Sequence, residues 1–496
     1  MRRHDLQAAF AATVIAGALL ANACATTREK EERRERVAGK EAWRDTRPVA
    51  AAPAPVSFPN YQRIDLKNGL PVVLVEEHGL PAVYVTVAVR AGSAMDGREP
   101  GLANLTWDLL DEGMGDLPAA GVANAFGDIG TVVDVGASRD WGSASIQVQR
   151  GDLERGLELL SQMVRSPSFN AADVERLKKL HLASLQGKQG DPDTLAWQLL
   201  AAEVYGADHA YGHPGDGTPA SVEKLKQSAV KRFWTEHAGP KNAALVIIGD
   251  VTPDDARTLA EKHFGKWKGG PAKAPKPPAA PKPRKGTRIV VVDFPGAPQT
   301  MIRIGRSFMS ATDAELPQAI VMNQVLGGMF TSRLNLKLRE EKGWTYGAFS
   351  SVDARYGPGP FLISTDVQTD KTGEALVEVF VQLDTLKTGG VTEEELALGR
   401  ANFVRSLPGL FAVAPLQSAQ AVETFALGLP ADHHQKLAAA VEAVTADQAK
   451  AAAARAIDID DLVVVLVGDR AAIAAGLEGK GLGEVVFMNR DGTPAK

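Results

Sequence analysis

The sequence predicts an α+β fold built twice: two homologous α/β sandwich domains, each an antiparallel-rich sheet with helices packed on it, joined by a Pro-rich linker. An internal repeat is the first observation behind this. Val72–Val75, Gly79–Ala82 and Val83–Val87 align without a gap on Ile289–Val292, Gly296–Gln299 and Thr300–Ile304. Each copy reads as a strand, a Gly-Pro or Gly-Ala-Pro turn and an alternating strand. The second observation is a matching end. Leu245–Asp250 and Val464–Asp469 close the two copies as apolar strands ending in Gly-Asp, at nearly the same distance from their starts. The third is Gly270–Lys285, where Pro recurs every second or third residue and forbids a packed helix or a central strand.

The elements follow in chain order. Arg2 and Arg3, then uncharged, Ala-rich Leu6–Ala23, form a secretory signal over residues 1–23. Cys24 is the only cysteine and follows a small-residue box, so it is expected to be the lipidated first residue of the mature chain. Residues 24–56, charged and then Ala/Pro-rich, read as a solvated tether. The first domain is expected over 57–267. Asn68-Gly69 signals a hairpin there. Val83–Val89 and Ser143–Gln149 alternate as half-buried strands. Leu153–Val164 has helical spacing, Asn170 caps a helix over Val174–Leu185, and Asp191-Pro192 ends it and starts the next at Leu195–Tyr205. The linker spans 268–286, the second domain 287–480 with a helix capped by Thr392, and 481–496 reads as a tail.

Composition excludes some functions. With 496 residues, 45% of them hydrophobic, the chain can bury more than one core. A formal net charge of −5 with no basic stripe argues against nucleic acid as a partner. No phosphate-binding loop or G-x-S-x-G elbow is present.

Short landmarks carry a resemblance. Asn68-Gly69-Leu70, Ala91-Gly92-Ser93, Gly101-Leu102-Ala103 and Asn242-Ala243 lie in the first half. Ser332-Arg333-Leu334 and Arg339–Tyr346 lie in the second. Over Pro59 to about Asp469 the chain resembles the pitrilysin (insulinase) family of zinc peptidases in its two-domain bacterial and mitochondrial form. The resemblance implies paired α+β domains that help enclose an unfolded peptide.

Active members of that family carry H-x-x-E-H after the Gly-Leu-Ala landmark. Two His at i and i+4 share a helix face and bind zinc, and the Glu between them is the general base. Here those positions hold Asn104, Trp107 and Asp108. The later Glu ligand falls at Ala183 or Ser184. No metal is expected on this chain; zinc is expected on a partner. Other candidates are weaker. Asp108, Asp111 and Glu112 at helical spacing read as a solvated helix end, His209 and His213 as loop positions, His433-His434 as surface and His181 as packing.

Arg339 and Tyr346 match the family's Arg/Tyr pair in residue type and spacing. The resemblance implies that they hydrogen-bond the substrate backbone beside the zinc, where such donors stabilise an oxyanion. Gly327 and Gly328 just before them are a candidate substrate loop. The expected function is thus the non-catalytic, substrate-binding subunit of a heteromeric zinc metallopeptidase. Its partners would be an H-x-x-E-H-bearing subunit, peptide substrate and, through Cys24, a membrane at the periplasm-facing bacterial cell envelope. The alternative is a proteolytically inactive peptide-binding or scaffold protein of the same compartment.

Overall fold

The computed structural model describes residues 56–188 and 190–495. Cys24, the signal segment and nearly all of the expected tether lie outside them. The strands, in chain order, are β1 (Gln62–Asp65), β2 (Pro71–Glu76), β3 (Ala82–Val89), a small ribbon of β4 (Gly113–Met114) and β5 (Leu117–Pro118), β6 (Asp134–Ala137), β7 (Gly142–Gln149) and β8 (Ala243–Gly249). The second half supplies β9 (Arg288–Asp293), β10 (Gln299–Ser307), β11 (Thr345–Val352), β12 (Pro360–Gln368), β13 (Val463–Gly468) and β14 (Glu484–Met488).

Two six-stranded sheets result, ordered β1-β2-β8-β3-β7-β6 and β11-β12-β10-β13-β9-β14. The repeat survives in the pairing. β2 runs parallel to β8 as β9 does to β13, and β3 and β10 each lie antiparallel between two strands. The Asn68-Gly69 turn makes the β1–β2 hairpin: Gly69 takes φ of 90°, a conformation glycine adopts at no steric cost. The two sheets differ at one edge. The linker leaves no hairpin strand before β9, and β14 fills that slot in parallel register. Of the residues expected as a tail, Glu484–Met488 therefore belong to the second sheet. The run Val485-Val486-Phe487-Met488 is a strand whose register is set by β9, at the start of the second half.

Each sheet packs its own half's helices on one face, Leu153–Arg165 and Pro253–Phe264 in the first half, Thr372–Gly389 and Ala446–Ala456 in the second. The other face of each sheet is covered by a helix from the opposite half. Ala421 and Val422 of helix Ala414–Ala426 pack on Val75, Ala88, Val246 and Ile248 of the first sheet. Leu195, Leu199 and Leu200 of helix Pro192–Tyr205 pack on Val290, Val292, Val463 and Val465 of the second. This exchange corrects the half-buried reading of β3, which is buried from Val85 to Val89, and leaves β8 and β13 buried throughout. Strands covered on both faces read as continuous apolar runs. Polar contacts seal the joint. Thr86 Oγ1 lies 2.8 Å from Ser418 Oγ, and Arg90 donates to the Ala426 carbonyl at 3.0 Å, where the helix end leaves acceptors free. The linker lies against the body, with the Pro275 carbonyl accepting from the Tyr356 hydroxyl at 2.8 Å and Ala279 O 2.8 Å from His209 Nε2.

Candidate functional site

The segment at the zinc-motif position is the short helix Leu102–Asp108. Its start is held by a buried carboxylate: Asp96 accepts from the Gly101 N–H at 2.8 Å and the Ala103 N–H at 2.7 Å. Burial pushes the Asp96 carboxyl up to about 7, although these two N–H groups and Arg139 oppose the shift.

The three motif positions meet different fates. Trp107 is fully buried. Its indole N–H donates to the Ala91 carbonyl at 2.9 Å, and its ring stands edge-to-face with Trp234 at 5.2 Å. The space it fills is made by Gly142, where a Cβ would come within 2.1 Å of the indole. Asn104 is half-buried and its amide donates to Asp216 at 2.7 Å. Asp216 also pairs with Lys188; although burial works against it, Lys188, His181 and Asn104 hold its carboxyl below the usual range. Asp108 faces solvent, yet the protein around it desolvates it, and Asp111 and Asp216 add repulsion, lifting its pKa to about 6.

These residues do not fit a zinc ion. The general-base position is an apolar plug, one His position is an amide committed to Asp216, and the other is a carboxylate that Asp111 and Asp216 repel without joining it in a ligand cluster. Lys188 already supplies a positive charge to Asp216. Ala183 and Ser184, the expected place of the later ligand, are exposed on helix Ala171–Lys188 and offer no carboxylate. Among the described residues, no group of three or more His, Cys, Asp and Glu could hold a metal. The helix stops at Asp108, so Asp111 and Glu112 do not share a helical face with it; Glu112 instead pairs with Arg176. His209 bonds the linker, and His213 is buried. His181 is half-buried, and burial holds its pKa below the usual imidazole value. His434 is not a free surface group: it packs edge-on against Phe411 at 5.3 Å, and burial, with His433 beside it, lowers its pKa to about 4.

The second half presents a different surface. Helix Leu316–Asn323 runs on into a π-helical turn, Gln324–Gly328. Gly327 is buried there, and a Cβ on it would lie 2.3 Å from the Ser350 nitrogen of β11. Its role is a close helix–strand contact rather than a substrate loop; only Gly328 is exposed. Phe330 follows, 59% exposed. Buried Asn335 ties the region together, donating to Phe330 O at 2.7 Å and accepting from Ala348 N at 3.2 Å. A second π-helical stretch, Leu336–Glu341, carries Arg339. Its guanidinium sits 4.6 Å over the Phe330 ring and donates to Glu340 at 2.9 Å.

Tyr346 is 90% exposed on β11, an edge strand. The cause is a β-bulge: Thr345 pairs with Val367 and Ala348 with Thr365, so three steps on β11 face two on β12. Bulges of this kind re-aim side chains. Thr345 Oγ1 donates to the Gly347 carbonyl at 2.9 Å and accepts from the Gly347 N–H at 3.1 Å, while Thr365 Oγ1 lies 3.0 Å from both Thr345 Oγ1 and Gly347 O. Arg339 and Tyr346 thus stand on neighbouring elements, with no hydrogen bond between them among the described residues. The spacing in the sequence identified both. It did not identify Thr345, Thr365 or Asn335, whose pattern becomes visible only once β11 and β12 are paired.

Comparison with known proteins agrees with this picture. Residues 71–211 match the model of insulinase (peptidase family M16), and residues 224–403 that of the peptidase M16 inactive domain. The chain is 25% identical over 408 residues to the non-peptidase homolog YmxG of Helicobacter pylori, covering 81% of this chain and 92% of that protein. It is 24% identical over 384 residues to the zinc protease PqqE of the same organism, covering 75% and 86%. Its fold matches the crystal structure of a peptidase M16 inactive domain from Pseudomonas fluorescens with a TM-score of 0.75 at 26% identity, covering 83% of this chain and 98% of that one. With both M16 domains matched in order and both sheets built on one repeat, the chain belongs to the peptidase M16 (insulinase) family.

Proposed function

We propose that this chain is the non-catalytic, substrate-binding subunit of a heteromeric zinc metallopeptidase, inactive alone and completed by an H-x-x-E-H-bearing family member. The observation that carries the reading is the contrast between the halves. The zinc-motif helix has a buried Trp where the base belongs, while Tyr346 is held out, 90% exposed, from a bulged edge strand. A chain that served only as a wall would have no use for that arrangement. Supporting it, one organism holds two relatives of this chain, one named a non-peptidase homolog and the other a zinc protease.

In this reading the chain holds an extended peptide and presents donors to a carbonyl that reacts at the partner's zinc. Exposed edge strands can pair with a peptide backbone. Tyr346 offers one O–H, and Arg339, once it swings from Glu340, a planar cationic fork. Donors already in place stabilise developing negative charge more than they stabilise the ground state. Zinc belongs to the partner, and Cys24 carries lipid that keeps the complex on the periplasmic side of the envelope.

The test is reconstitution. The purified chain alone is expected to hold no stoichiometric zinc and to cleave no peptide; mixed with an H-x-x-E-H partner from the same cell, it raises chelator-sensitive cleavage above that of the partner alone. About one tight zinc per chain with cleavage by the chain alone overturns the proposal. A stable complex without added cleavage favours the scaffold reading.

A further inference from the structure

The two repeats differ sharply at one corresponding loop. In the first half, the connection from helix Ala171–Lys188 to helix Pro192–Tyr205 is polar, with Lys188 and Asp191 exposed. In the second half, helix Glu393–Ser406 passes to helix Ala414–Ala426 through Leu407–Ala412 and Val413. Between Arg405 and Glu423 there is no charged residue. Leu410, Val413 and Leu416 are 39%, 52% and 42% exposed, and Pro408, Gly409, Ala412 and Pro415 beside them are exposed too. A contiguous apolar patch of this kind on a protein surface marks an interaction site.

The place where the chain enters the body points to the occupant. The described chain begins at Val56, and Phe58 packs edge-on against Phe411 of this same loop at 5.6 Å. Three residues on, the Tyr61 hydroxyl donates to the Gln417 carbonyl at 2.9 Å, fixing the entering strand along the loop. The described chain therefore enters the body beside the apolar patch.

We infer that the Leu410–Leu416 loop, where the tether enters the body, is a membrane-docking element that inserts its apolar side chains into the bilayer interface. The inference rests on the lipid anchoring of Cys24 proposed above and adds a second, protein-borne contact. An acyl anchor becomes firm when a second signal accompanies it, and interfacial binding scales with the apolar area buried. The insertion also orients the body, because it turns the Leu410–Leu416 side of the fold toward the membrane.

The experiment uses the lipidated full chain in vesicles of phosphatidylethanolamine and phosphatidylglycerol. Lipid occupies the Cys24 sulfur as a thioether, so Val413→Cys offers the one free thiol for an environment-sensitive fluorophore. Val132→Cys, 81% exposed in the first half, is the control. Quenching by spin-labelled lipid at position 413 and not at 132 is the expected result. A second arm takes the Cys24→Ala chain, whose residual vesicle binding should fall about tenfold or more in L410D/V413D/L416D. Equal absence of quenching at both sites overturns the inference. So does a blue shift at position 413 that needs protein partner or high concentration and is indifferent to lipid, which assigns the patch to a protein interface. The mass of the mature chain reads the anchor separately, so a missing lipid and a non-inserting loop are told apart.

Discussion

Restoring a glutamate at the general-base position should damage the fold before it helps any chemistry. Trp107 is fully buried, hydrogen-bonded to Ala91 and packed on Trp234. Removing a buried Trp side chain costs about 3–5 kcal/mol. Placing a carboxyl in the same apolar space adds a further penalty, even if it takes a proton rather than ionise. The total for Trp107→Glu is therefore about 5 kcal/mol or more, comparable with the whole stability of a typical domain. In a thermal melt followed by near-ultraviolet circular dichroism, the first transition should fall by about 10 °C or more. Asn104→His and Asp108→His, on the open side of the same helix, should each cost less than about 1 kcal/mol. Gly142→Ala supplies the cross-check. Its added methyl meets the indole at 2.1 Å, so it should destabilise the Trp107 protein by about 1–3 kcal/mol and the Trp107→Ala protein much less. A Trp107→Glu protein melting within about 2 °C of the parent would refute the plug, and with it the physical reason that the motif cannot simply be rebuilt.

Three further outcomes are expected. Asp96 has a folded-state pKa of about 7, raised by burial above the ordinary 3.8, so its contribution is fully present when it is protonated and is lost as pH rises through about 7. Urea midpoints should decline between roughly pH 4 and pH 7, and Asp96→Asn should remove about 2–4 kcal/mol of that dependence; an unchanged slope contradicts it. Thr365→Val takes away a hydroxyl that closes the bulge, so the reconstituted pair should lose turnover by about tenfold while the melt shifts by only about 1–2 kcal/mol. Unaltered turnover would separate the bulge from Tyr346. Cys24→Ala should free the protein from membranes except for the contact through Leu410–Leu416, and unchanged mass and full retention would sink the anchor.

Much of the fold was legible because it is written in local, periodic signals. The repeat, the Asn68-Gly69 hairpin, the Asp191-Pro192 start and the Thr392 cap each depend on residues within a few positions of one another. What escaped depends on distant partners. β14 is a strand only because β9 lacks a hairpin neighbour, and β3 is buried on both faces only because helix Ala414–Ala426 crosses from the other half. The site divides in the same way. Motif spacing exposed the changed zinc positions and singled out Arg339 and Tyr346. It could not show that Trp107 turns inward over Gly142, that Lys188 and Asp216 pair beside Asn104, or that Gly327 is a packing glycine, since each of these is a contact across the fold.

The most direct test of the account is to change Arg339 and Tyr346 and read the effect on chemistry done by another chain. Arg339→Ala and Tyr346→Phe lie on exposed or half-exposed positions and should leave folding and partner binding intact. Each should lower the turnover of the reconstituted pair by roughly 10²-fold or more, the usual order for one lost oxyanion donor. The loss should fall mainly on kcat if the contact tightens in the transition state, and on KM as well if it also grips the bound peptide. The double variant should cost less than the product of the two, because both groups serve one carbonyl or its neighbour. Full turnover of the pair with both residues changed would show that this chain supplies only a wall.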